Sequence, residues 1–203
     1  RGAGDTMKHS EERILTTHTA SLPRTAELTS LLVGREQGRD IDDADMAAEA
    51  RKALDIVLAR QIDAGVDIGN DGEVPRIGFS TYVTERISGF GGESVRRRPS
   101  DMDKFPDYAA FLVKQIGATD DLAKVWNAPE AQEELHYDTS LSGAKAESAL
   151  FADGLASVDG AFAETFMTAA SPGIISTTLL RAKNNRAYAN DREYVLAVAK
   201  ELK

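Results

Sequence analysis

Two short polar strings carry the side chains whose types and spacing could do chemistry. The first is His18-Thr19-Ala20-Ser21-Leu22-Pro23-Arg24. Its imidazole can donate or accept a hydrogen bond, Ser21 offers a hydroxyl beside backbone donors, and the Arg24 guanidinium is shaped for a carboxylate. The same string can equally be a turn stapled by Ser21 and Pro23. A serine and a histidine three residues apart lack the orienting third group of a triad, and no Gly-x-Ser-x-Gly elbow is present, which argues against acyl transfer. The second string is Asn70-Asp71-Gly72-Glu73. In an extended segment Asp71 and Glu73 lie on one side, so the pair can hold an ammonium group, a metal or a proton, or can simply be solvated or cap a helix. No residue is assigned as catalytic.

Other candidates are weaker. Gly89-Phe90-Gly91-Gly92 has neither the dinucleotide spacing nor a Walker lysine, so a nucleotide site is disfavoured. His9 and His136 have no partner at metal-ligand spacing and read as surface or packing residues. Phe79, Tyr82, Phe90 and Trp126 can stack on a flat ring, although scattered aromatics in an α/β chain ordinarily pack.

The elements that must position these residues follow from periodicity and punctuation. Arg13 to Thr17 is a β-prone run that stops in the proline-bearing loop, and Thr25 caps a short helix expected to run to about Val33 and close at Gly34. From Asp42 the apolar positions Met46, Ala50, Ala53, Leu54, Val57, Leu58 and Ile62 obey helical spacing, giving about five turns that end at Ala64-Gly65. A brief strand, Val66 to Gly69, follows at once and delivers Asn70 to Glu73 at its C-terminal end. Further on, a helix is expected from Phe79 to Ile87, a mobile loop or lid at Ser88 to Gly92, partial helix from Asp101 to Ile116 and a strand at Lys124 to Asn127 before Pro129. Ala144 to Leu155 reads as helix, and Thr165 to Thr168 as a strand ending at Ala169-Ala170-Ser171-Pro172-Gly173, with a short helix after it. A terminal helix from Asp191 shows Tyr194, Val195, Val198 and Leu202 on one face. Alternating strands and helices imply a parallel sheet, with His18 to Arg24, Asn70 to Arg76 and Ala169 to Gly173 gathered at strand C-terminal ends.

Composition bounds the function. The 203 residues suit one domain or a large piece of a barrel, and a net charge of -9 argues against a nucleic-acid partner. Arg96-Arg97-Arg98 is the one basic knot and reads as a solvated loop, or as a loop that could meet an anionic ligand tail. The chain has no cysteine, hence no disulfide, thiol nucleophile or thiolate-rich zinc site of its own. There is no membrane-length apolar run and no signal-peptide pattern, so a soluble, cytoplasmic protein is expected. Arg1 to Thr6 precede Met7 and read as a leader, giving a division into residues 1–10 and a partial barrel over 11–203.

Taken in order, Ile14 to Arg24, Ala64 to Glu73 and Ala169 to Gly173 resemble the cobalamin-independent methionine synthase superfamily, most nearly its single-barrel members, over about Glu11 to Lys203. The resemblance implies the N-terminal half of a (β/α)8 TIM-type barrel. It implies a methyltransferase in which zinc makes a substrate thiol into a thiolate that takes a methyl group from a reduced folate, methyl-tetrahydrofolate. On that resemblance Ser21 helps hold the homocysteine carboxylate, Glu73 grips its amino group with Asp71 beside it, and His18 lines the thiol pocket. The family's zinc ligands fall in the second half of the barrel, beyond this sequence. A half-barrel would expose sheet edges, so a partner is expected: another subunit, the remainder of a longer chain, or a second copy. The acceptor could also be a different thiol, and a non-catalytic binding subunit that needs a zinc-bearing partner is the competing expectation.

Overall fold

The computed structural model describes residues 7–95, 100–116 and 127–203. The expected leader Arg1 to Thr6, the basic knot Arg96 to Arg98 and the run Lys124 to Trp126 lie outside the described residues. In chain order come α1 (Ala26–Glu36), α2 (Asp43–Asp63), β1 (Ile68–Asn70), a 3-10 turn (Tyr82–Glu85), β2 (Ile87–Val95), α3 (Ser100–Lys104), α4 (Pro106–Ile116), β3 (Asn127–Tyr137), α5 (Ser142–Ser157), β4 (Glu164–Phe166), α6 (Pro172–Thr178) and α7 (Asp191–Glu201). They form two units, one from the chain up to Phe79 with Ser142–Ala169, the other from Ser80–Leu141 with Ala170–Lys203.

The first unit is helix over parallel strand. Thr25 caps α1 by accepting from the Leu28 amide. The helix does not close at Gly34 as its glycine suggested. Gly34 lies inside it, under the guanidinium of Arg39 at a distance where a Cβ would sit 2.5 Å from that group, and Gly38 with φ +78° follows the end instead. Asp42 caps α2 through the amides of Ala44 and Asp45, and the buried stripe comprises Met46, Ala50, Ala53, Leu54, Val57 and Leu58, with Gln61 in place of the expected Ile62. Leu54 and Leu58 pack on Phe151 of α5. The opposite side of the stripe joins Leu28, Leu32, Met46, Ala50, Ala53 and Val57 to Val74, so the loop after β1 is itself anchored in the helical core. Each of the leucine, methionine, valine and phenylalanine side chains among them is worth roughly 1.5–3 kcal/mol of transfer free energy.

The strands are shorter than their sequence signals and displaced. β1 is later than Val66 to Gly69 by one or two residues, and β4 is earlier than Thr165 to Thr168 by a similar margin. The run Arg13 to Thr17 makes one bridge, Thr17 to Ile68, because Asp67 diverts what precedes it: its carboxylate binds Arg13 and the amide and hydroxyl of Thr16. Thr17, β1 and β4 are mutually parallel, with Ile68 opposite Glu164 and Asn70 opposite Phe166. The α1–α2 pair supplies the long crossover that a parallel pairing requires.

The second unit departs further from expectation. The helix expected from Phe79 to Ile87 is a single 3-10 turn, and Ser88 to Gly92 is no lid but part of β2, antiparallel to β3. Its glycines allow the irregularities: Gly89 (φ +97°) and Gly92 (φ +60°) fall at the two register shifts. Pro129 lies within β3 rather than after it, opposite the second shift, where it has no register partner. Asp101 to Ile116 is helical as expected, broken between α3 and α4 at Phe105, the residue before Pro106. Ser171 caps α6 with Pro172 in its first turn. In α7 Tyr194 and Val198 are buried, whereas Leu202, at the C-cap, is 36% exposed.

The chain is therefore mixed α/β as expected. Among the described residues the strands make two two-stranded sheets, with no closed barrel, and no helix is long and apolar enough to cross a membrane.

Candidate functional site

The loop after β1 reverses in four residues. The Val74 amide donates to the Asp71 carbonyl at 3.2 Å, and both central residues, Gly72 (φ +58°) and Glu73 (φ +56°), are left-handed, as in a type I′ turn. Gly72 must be glycine for a second reason: a Cβ there would stand 2.9 Å from that of Leu22. Glutamate has no such excuse. A side chain other than glycine in this region costs of order 1–3 kcal/mol, and such residues concentrate at functional sites.

The first loop closes over the second by backbone and side chain. Leu22 donates its amide to Gly72, and the Asn70 amide group reaches the His18 carbonyl at 2.6 Å. Arg24 spends its guanidinium on the carbonyls of Glu73, Val74 and Arg76, which staples the turn, and burial lowers its pKa from the ordinary arginine value. His18 is half-buried, its Nε2 3.0 Å from the carbonyl of Ala20.

Two buried acids occupy the junction. Glu73 Oε2 accepts from the Ser21 hydroxyl at 2.6 Å and Oε1 from the Thr168 hydroxyl at 3.1 Å. Asp71 Oδ1 accepts from the Glu73 amide at 3.2 Å, while Oδ2 accepts no hydrogen bond and stands 3.7 Å from Arg76 Nη2. Burial pushes the Asp71 carboxyl above the usual carboxylate range, against the pull of that amide and of Arg76. Arg76 also engages Glu147 of α5, at 3.1 Å, and the carbonyl of Thr168, at 2.6 Å.

The structure thus brings Ser21, Arg24, Asp71 and Glu73 together in one unit, with His18 at the start of the loop that carries Ser21 and Arg24. The third polar segment contributes at its entry, through Thr168. Sequence reasoning missed Arg76, Glu147 and Thr168. Arg76 closes the Asn70 to Arg76 loop and was visible as a charge beside two acids; Glu147 and Thr168 carried no local signal.

The fold is similar to that of a methionine synthase. A B12-independent methionine synthase from Shewanella sp. W3-18-1, solved in complex with selenomethionine, superposes with a TM-score of 0.60 at 16% identity, over 92% of this chain and 45% of that one. This chain accordingly spans less than half the length of that structure. No protein-family model matches the chain, and none of the curated proteins does.

Chemically, the junction is a buried cluster of two acids, one held by hydroxyls and one beside Arg76, and hydroxyls that bind a carboxylate can give way to a cation that donates several hydrogen bonds. A transition metal is a poor fit. Among the described residues no three of His, Cys, Asp and Glu converge as a metal-holding group, and the guanidinium of Arg76 already stands between Asp71 and Glu147.

Proposed function

We propose that this chain supplies the amino-acid-binding part of a methyltransferase site of the cobalamin-independent methionine synthase type, which moves a methyl group from a reduced folate to a thiol such as homocysteine. One observation carries the reading: a buried glutamate, Glu73, is kept in a left-handed turn with both carboxylate oxygens held by hydroxyls. The likeness of the fold to part of a methionine synthase supports it.

In this reading the ammonium group of the amino acid displaces the hydroxyls from Glu73 and adds a donor for the unsatisfied oxygen of Asp71. Ser21, released, turns its hydroxyl to the substrate carboxylate. His18 borders the thiol end, and Arg24 keeps the turn in shape rather than meeting the ligand. Zinc, when bound, would lower the pKa of the thiol. The described residues do not fit that metal, so no step is assigned to it; its ligands would come from a second half-barrel, whether another subunit, further chain or a second copy.

Calorimetric titration of the chain with L-homocysteine, and with a mercapto acid lacking the amino group, tests the assignment. Glu73→Gln is expected to weaken homocysteine binding by about tenfold or more, roughly 1.4 kcal/mol, and to leave the amine-free thiol unaffected. Equal homocysteine affinity in the two proteins would end the reading. Binding without turnover in every zinc-loaded complex would instead support a binding subunit.

A further inference from the structure

Arg76 joins three separate pieces of the first unit. Its side chain is 4% exposed. Nη1 donates to the Thr168 carbonyl at 2.6 Å, Nη2 and Nε meet the two oxygens of Glu147 at 3.1 and 3.4 Å, and Asp71 Oδ2 lies 3.7 Å from Nη2. Thr168 in turn donates its hydroxyl to Glu73 Oε1 at 3.1 Å. A continuous chain of contacts therefore runs from α5 through Arg76 to the Thr168 peptide and on to the carboxylate of Glu73. A planar guanidinium can serve a carboxylate with one edge and a carbonyl in another direction; an ammonium is a point charge that cannot hold the same geometry.

We propose that Arg76 is a positioning residue for Glu73 that acts through Thr168, fixing the Thr168 peptide so that its hydroxyl is aimed at Oε1. This deepens the amine-site reading and rests on it for its purpose. The partition of charge fits the role. Arg76 is shared by Asp71 and Glu147, and Arg24 donates its hydrogen bonds to backbone carbonyls and acts on Glu73 only through space, so the hydrogen bonds to the Glu73 oxygens come from hydroxyls, which a ligand ammonium can displace. A lysine-like cation placed directly on Glu73 would already satisfy it. The same arrangement gives Thr168 a defined part: its carbonyl is the handle and its hydroxyl the pointer.

The test is a double-variant cycle read two ways. The carboxyl-carbon NMR resonance of Glu73 is measured at neutral pH in the wild type, Arg76→Lys, Thr168→Val and the double variant, and L-homocysteine affinity is measured calorimetrically on the same four proteins. Each single variant is expected to move the Glu73 resonance in the same direction and to weaken homocysteine about tenfold, the scale of one charge-assisted hydrogen bond, with the double variant no worse than either. An unmoved Glu73 resonance in Arg76→Lys, or effects that add in the double variant, overturns the proposal. Thr168→Val leaves the guanidinium in place and so keeps the proposal open to refutation even if loss of Arg76 unfolds the chain: an unmoved Glu73 resonance in that variant overturns it too. If homocysteine fails to bind the wild type while the resonance pattern holds, the amine reading falls and the positioning role stands.

Discussion

Glu73 sits where the backbone would prefer glycine or asparagine, and its neighbour Asp71 sits where a charged oxygen would prefer water. Both facts make predictions. Glu73→Gly and Glu73→Ala each remove the carboxylate, so their difference isolates the backbone: the glycine variant is expected to be the more stable by about 1 kcal/mol, seen as a higher urea midpoint at unchanged slope. The reverse order would show that the turn is unstrained. For Asp71 the folded-state pKa is raised, so the native chain disfavours the ionised form. The penalty is absent in acid, where the carboxyl is protonated folded and unfolded alike, and develops as pH climbs through the unfolded value near about 4. Asp71→Asn is therefore expected to melt above the wild type at pH 7 and to converge with it below the carboxylate range. A constant difference across that range would mean that packing, not charge, sets the effect.

Helices carry the elements of the first unit, and the strands are little more than connections between them. α2 is 21 residues long, while β1 and β4 have three each. The site is held because Val74, one residue past Glu73, is fully buried among α1 and α2, so core packing and loop geometry are one structure. Removing the Asp42 cap by Asp42→Ala is expected to cost about 1 kcal/mol, read by thermal melting, with early hydrogen exchange at the start of α2. Leu58→Ala, which opens a hole against Phe151, is expected to cost about 2–5 kcal/mol. If homocysteine affinity survives that variant in the folded fraction, the site depends on the Val74 side of the stripe and not on the α5 side. Gly69 is constrained by a close approach: a Cβ there would stand 2.7 Å from the Phe162 ring, so Gly69→Ala must displace the ring or part β1 from β4.

At the scale of the whole molecule, the parallel set Thr17, β1 and β4 is open among the described residues, and the chain spans 45% of the methionine synthase it resembles. An open parallel edge is a place for further strands to pair. The proposed reading therefore expects native mass spectrometry with metal analysis to find zinc in a complex larger than one copy of this chain. Zinc bound stoichiometrically to a single copy would contradict the division of labour proposed here.

Sequence alone determined the long helix α2, the starts of α1 and α7 and the two loops that make the site, but not the 3-10 turn at Tyr82–Glu85. The stripe of α2, the cap Thr25, the start of α2 at Asp42 and the glycine turn at Asp71-Gly72-Glu73 were legible, because helical periodicity and capping are local and turn chemistry is written in adjacent residues; that Ser21 meets Glu73, 52 residues away, was not. Only the tertiary structure decided that Ser88 to Gly92 is a bulged strand, that Arg24 is a staple for carbonyls, and that Arg76, Glu147 and Thr168 complete the acid cluster. Those outcomes depend on partners far off in the chain, such as Ser88 with His136, 48 residues apart, and Glu73 with Thr168, 95 apart. Strand pairing and buried charge are settled by what the fold brings alongside, and no pattern within a single segment records it.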